Sequence, residues 1–184
     1  MAAPTVSTSP ALDGTGNASG ATVDITFASA PSTTQVIILF VNTEAEGAVG
    51  WPTTPSFTEI VNINSPGNAQ SFAAAWGRGD GSTTLFTIDN PGSAWRNACG
   101  VCIDGAITTG DPQDATATSL QVDATGTVVS CPSITTASAD CLLLALGGIF
   151  NDRTFTAPTG MTKNAILIGA AERTIGLANV AQAG

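Results

Sequence analysis

The sequence predicts an all-β protein, an antiparallel two-sheet β-sandwich of jelly-roll type. Three observations predict it. Apolar and polar residues alternate with period two in short segments. Gly, Pro, Asn and Asp punctuate those segments at regular spacing. No segment keeps a 3.6-residue apolar period over three turns. Composition agrees with this reading. Apolar residues are 43% of the 184, enough for a core, while charged residues are only 10%, well under the usual quarter. Thr, Ser, Gly and Ala fill the gap, and they suit strands and tight turns better than exposed helix faces.

The elements follow in chain order. Residues 1–20 form a flexible N-terminal arm: Thr5–Ala21 has few large apolar side chains and abundant Gly, Ser and Asn. Such a segment cannot bury enough surface to offset its ordering entropy, so only a neighbouring subunit or surface would hold it. Ala21–Phe27 is a half-buried strand, with Val23, Ile25 and Phe27 on one face and Thr22, Asp24 and Thr26 on the other. Gln35–Val41 is continuously apolar from Val36 on, as expected of a central strand covered on both faces. Phe57–Ile63, Ser71–Arg78, Thr83–Asp89 and Trp95–Ile103 continue the series, and Gly79-Asp80-Gly81 reads as a hairpin turn between two of them. Later candidates are Thr127–Cys131, Cys141–Phe150, Ala165–Ala170 and Leu177–Gln182. The expected core comprises Val23, Ile25, Phe27, Val36, Ile38, Phe40, Trp76, Leu142 and Leu144.

Residues 21–184 read as one domain with two related halves, about 21–105 and 120–184. Each half has a Ser/Thr-rich turn, a strongly apolar strand, a loop, a Pro-containing turn and another strand: Ser29 to Phe40 with Gly50 to Ile60, and Ser133 to Leu146 with Ala157 to Lys163. The second half stops two strands short of the first. A sheet edge left open in this way calls for strands from a neighbour or for a polypeptide continuing past Gly184, and the sequence reading favours continuation.

Charge and missing residue types narrow the function. The formal net charge is −9, with Arg78, Arg96, Arg153, Lys163 and Arg173 the only basic residues. That excludes a cationic footprint for nucleic acid and disfavours an anionic membrane surface. There is no His and no Tyr. Ser-His-Asp and Cys-His catalysis and most catalytic zinc sites go with the missing His. The acids Asp13, Asp80, Asp104, Asp111, Asp114 and Asp152 sit where turns are expected and read as solvated turn residues, not as a glycosidase pair. Asp111 and Asp114 match no calcium-loop spacing. No cofactor, no metal and no catalytic residue is expected.

Several motifs have two readings. Cys99-Gly-Val-Cys102 has zinc-ligand spacing, but residues i and i+3 of a regular strand face opposite ways. Buried thiols are the reading adopted for Cys99, Cys102, Cys131 and Cys141, with a Cys131–Cys141 disulfide and zinc as alternatives. Arg78-Gly79-Asp80 is an integrin-type tripeptide that turn chemistry explains by itself. Asn17-Ala18-Ser19 is a formal glycosylation sequon in a linker. Of the three tryptophans, Trp76 and Trp95 read as core. Trp51, between Gly50 and Pro52, reads as exposed and is the candidate ligand-stacking residue. The N-terminus shows no basic and apolar leader pattern, so synthesis in the cytoplasm is expected.

The segments "VDITF", "VIILFV", the Trp/Pro turn before "FTEIV", "AAAWGRGDGSTTLFTI" and "AWRNACGVCIDGA" resemble, as a rhythm over nearly the whole chain, the β-sandwich virion proteins of tailed bacteriophages. The resemblance implies a non-enzymatic virion protein, most simply a capsid decoration or cement protein that binds the outer capsid. The implied partners are the major capsid protein or other virion proteins, and the implied assembly is a homo-oligomer, a trimer by capsid symmetry. The other reading is a receptor- or carbohydrate-binding module of a phage tail fibre or bacterial adhesin.

Overall fold

The computed structural model describes residues 4–7, 18–19, 21–43, 48–65, 70–89, 95–117, 133–138, 140–150, 159–169 and 173–181. Eleven strands lie in them: β1 (Thr5–Val6), β2 (Ala18–Ser19), β3 (Thr22–Thr26), β4 (Val36–Thr43), β5 (Phe57–Ser65), β6 (Gln70–Arg78), β7 (Leu85–Asp89), β8 (Trp95–Asp104), β9 (Leu142–Phe150), β10 (Thr162–Gly169) and β11 (Arg173–Ala181). The described residues contain no helix. Every strand pairing is antiparallel. The candidate strand Thr127–Cys131 lies outside the described residues.

The main sheet runs β1-β8-β4-β6-β5, with β2 also on β8. Its centre, β4, is buried at all eight positions. Alternation along β4 explains this. Ile37, Leu39 and Val41 point into one apolar layer, and Val36, Ile38 and Phe40 into the other. A ribbon of β3 and β7 covers the first face, contributing Val23, Ile25, Phe27, Phe86 and Ile88. The ribbon's alternate residues face water, as the exposed-buried pattern of both strands shows. Phe27 and Phe57 meet Phe86 edge-on, at centroid distances of 5.6 and 5.8 Å. On the second face Leu142, Leu144 and Leu146 of β9 lie half-buried against Val36, Ile38, Phe40, Cys99, Val101 and Ile103. β9 belongs to a three-stranded sheet ordered β10-β11-β9. The all-β antiparallel sandwich expected from the sequence is therefore present, while the described pairings do not confirm jelly-roll wiring.

Small residues let the layers approach. β6 carries Ala73, Ala74 and Ala75, all buried, and β8 carries Ala98 and Gly100. A Cβ on Gly100 would stand 2.7 Å from the Phe27 ring and 3.0 Å from Leu39.

Of the expected core, Val23, Ile25, Phe27, Val36, Ile38 and Phe40 are buried, and Trp76, Leu142 and Leu144 are half-buried. The Gly79-Asp80-Gly81 turn is no hairpin: β6 pairs with β4 and β5, and β7 pairs with β3. The turn carries the chain from the main sheet to the ribbon. Gly79 N–H donates to the Gln35 carbonyl and Gly81 N–H to the Pro31 carbonyl. Gly79 lies so close to Pro31 and Ser32 that no side chain fits there.

At its described residues the N-terminal arm pairs with the chain's own sheet. Thr5 and Val6 pair with Asp104 and Ile103, and Ala18 and Ser19 pair with Arg96 and Trp95. The Gln35 side chain pins the first of these contacts. Its Nε2 donates to Ser7 Oγ (3.1 Å) and Asp104 Oδ1 (2.9 Å), and its Oε1 accepts from Ser32 N–H (2.8 Å).

Candidate binding surface

Trp51 lies in the segment between β4 and β5 that closes one end of the ribbon. Gly50 and Asp89 exchange two backbone hydrogen bonds, of 2.6 and 2.8 Å, which fix this segment to the end of β7. Only glycine suits the contact, because a Cβ on Gly50 would sit 2.9 Å from the Asp89 Cβ. Thr53 and Ser56 form a further bridge around the cis Thr54–Pro55 bond. Trp51 is thereby laid half-buried against the apolar layer beside Phe57, and its indole N–H donates to Glu59 Oε2 at 3.1 Å. The ring is a partly covered shoulder, less open than the sequence suggests. A ligand would meet only its outer part, beside the exposed Glu59.

Trp76 projects into the other layer. It is half-buried, with the Arg78 guanidinium 5.8 Å from its ring centroid. The side chain of Trp95 lies outside the described residues.

The remaining candidates are committed to structure. Cys99 faces the layer of Phe40 and Val101, and Cys102 the opposite layer with Leu39 and Phe27. The two thiols of the CxxC therefore stand on opposite sides of one sheet. Burial pushes both up to about 12, with the Asp104 charge adding to it at Cys102. Thiols so desolvated are poor nucleophiles and poor ligands. Cys141 is half-buried and donates to the Ser138 carbonyl at 3.2 Å. Cys131 lies outside the described residues, and the disulfide alternative with it.

The integrin-type tripeptide is not displayed as one. Arg78 donates to the carbonyls of Ile107 (2.7 Å) and Gly110 (2.9 Å), tying the segment after β8 to the end of β6. Asp80 turns inward on its own loop. It accepts from Thr83 Oγ1 (2.6 Å), Thr83 N–H (2.7 Å) and Ser82 N–H (2.8 Å), which hold its carboxyl well below the usual carboxylate range. Asp114 does similar work across a longer span. It accepts from Ala137 and Ser138 N–H, and the bonds from Ser138 lead in lowering its pKa. Asp104 accepts from Gln35, and Asp111 from Gln113 N–H. Among the described residues no three His, Cys, Asp or Glu side chains converge as metal ligands. Asp13, Asp152 and Asn17 lie outside the described residues.

Sequence reasoning missed the Gln35 and Arg78 clamps. Gln35 carries a faint signal, as a polar residue opening an apolar strand. Arg78 carries none beyond being one of five basic residues. Among known proteins, no family model, no curated protein and no solved structure matches this chain.

Proposed function

We propose that the chain is a non-enzymatic structural protein of a bacteriophage particle, a decoration or cement protein that braces the outer capsid. The supporting observation is how its chemistry-bearing side chains are used. The β8 thiols are sealed in opposite layers, and Asp80, Asp104 and Asp114 spend their oxygens on turns and clamps. What the ribbon turns to solvent is mostly short and polar, Thr22, Asp24, Thr26, Thr87 and Asp89, with Thr87 Oγ1 donating to Asp24 Oδ1 at 2.7 Å, and Leu85 is the one large apolar side chain exposed among them. Such a layered β-plate acts through area and shape. It would bury surface across neighbouring capsid subunits, repeated in many copies as a homo-oligomer.

The test is addition of purified protein to capsids that lack it. Binding in hundreds of copies per particle, with a higher temperature of genome release, is expected. No binding to capsids, or a few tens of copies confined to tails, would sink the decoration reading. The half-exposed Trp51 beside Glu59 favours one second reading, a carbohydrate-binding module. A glycan array giving specific binding that Trp51→Ala abolishes would replace the first proposal with it.

A further inference from the structure

The strands β4, β5 and β6 are wired β4-β6-β5, and β9, β10 and β11 are wired β9-β11-β10. In both triplets the first strand pairs with the third, and the third with the second. Both also carry one break in register at a matching place, between Glu59 and Val61 in β5 and between Lys163 and Ala165 in β10. The triplets differ at the outer edge of the first strand. β8 fills that edge of β4 along eight positions, from Val36↔Ile103 to Thr43↔Arg96. Among the described residues no strand pairs with the corresponding edge of β9.

Open edges invite pairing unless something blocks them. Most of the other outer strands are blocked or very short. β5 and β10 are bulged and carry Glu59 and Lys163. β1 and β2 are two residues long. The ribbon strands β3 and β7 are five residues long and carry Asp24 and Asp89. β9 has none of these features. It is nine residues long, LLLALGGIF, with no charge and no proline, and it pairs with β11 at nine consecutive positions without a break.

We infer that the outer edge of β9 pairs antiparallel with β9 of a second copy of this chain, about a two-fold axis. An antiparallel strand is self-complementary under that symmetry, so the contact needs no separately matched partner. It sets uncharged Leu, Ala and Gly against each other, although each chain carries a net charge of −9 elsewhere. The product is one continuous six-stranded sheet, β10-β11-β9-β9-β11-β10. The inference does not depend on the proposed function, and it replaces the three-fold unit expected from capsid symmetry with a two-fold contact.

The test uses the full chain. Sedimentation equilibrium should give twice the 18.3 kDa chain mass. Ala145 is one residue from the midpoint of β9, so its two copies lie close to the axis in the centred register. Ala145→Lys and Ala145→Glu should each fall to a single-chain mass with unchanged circular dichroism, because like charges then face across the axis. Mixed in equal amounts, they should recover the doubled mass. Backbone amides of β9 should exchange with deuterium more slowly as protein concentration rises. A wild-type mass of one or three chains overturns the inference. So do folded variants that stay paired, or a mixture that stays single. Protection of β9 that ignores concentration overturns it too, since a segment of the same chain then occupies the edge. If either variant fails to fold, the wild-type mass and exchange data decide the matter.

Discussion

Cys99 and Cys102 stand three residues apart in β8, and the sheet separates them. Both thiols titrate near 12 instead of 9.0, with burial the leading cause. At pH 8 the native thiolate fraction is about one in ten thousand, so Ellman's reagent should find both thiols silent until denaturant is added. The same shifts set a pH dependence. A thiol raised on folding ionises first in the unfolded chain, so its contribution is intact below pH 9 and is lost as pH climbs toward 12. Urea midpoints should therefore fall above pH 9, by up to about 1.4 kcal/mol per pH unit for each thiol. The double variant C99A/C102A should show a flatter slope whatever its absolute stability; an equal slope would assign the alkaline loss to other groups. Asp80 works in the opposite direction. Its carboxylate is held ionised by Thr83 and Ser82, so its contribution is present above the ordinary carboxylate pKa and fades as pH falls. D80A should melt at a lower temperature than wild type at pH 7, with the gap narrowing toward pH 2; a gap independent of pH would mean the turn needs the side chain's shape and not its charge.

Gly100 shows what an element asks of a single position. It faces Phe27, Leu39 and Ile25 where the ribbon crosses β8. Gly100→Val should overpack that contact and cost about 1–3 kcal/mol by chemical denaturation. Phe86→Ala should remove the ring that Phe27 and Phe57 both meet, at about 3–5 kcal/mol. A cost under 1 kcal/mol in either variant would mean the ribbon is only loosely docked. These contacts were partly legible in the sequence. Alternation in Ala21–Phe27 and the unbroken run in Gln35–Val41 set out β3, β4 and the buried faces, because period-two burial is written residue by residue. The start of β11 is not legible: Arg173 and Thr174 are polar, and only the ladders with β9 and β10 make them strand. The turn at Gly79-Asp80-Gly81 was visible as a turn, but its composition cannot say which sheet receives the next strand. The sequence puts Trp51 in the right loop but overstates its exposure, since the Gly50–Asp89 bridge that lays it down joins residues far apart in sequence. Gln35 and Arg78 fail for the same reason, because the partners they clamp across the fold lie 28 to 69 residues away.

The whole molecule is an acidic layered plate with a net charge of −9, and its nine-residue β9 edge has no charge at all. Those two facts give contact through β9 a particular response to salt. Two copies approaching along an uncharged edge lose nothing there when ions are added, because there is no pair to screen. Their remaining surfaces repel, and at low ionic strength the Debye length of about 30 Å at 0.01 M spans most of a small domain. Raising salt to 0.15 M shortens it to about 8 Å and removes most of that repulsion. Self-association through β9 should therefore strengthen between 0.01 and 0.15 M salt and then level off. Binding through a basic patch to nucleic acid or anionic lipid would weaken steadily over the same range by counterion release. Sedimentation equilibrium at three salt concentrations separates the cases. A doubled mass that grows more stable and then plateaus fits an uncharged edge between acidic bodies. Dissociation on adding salt would show that charged side chains, not the β9 backbone, hold the copies together.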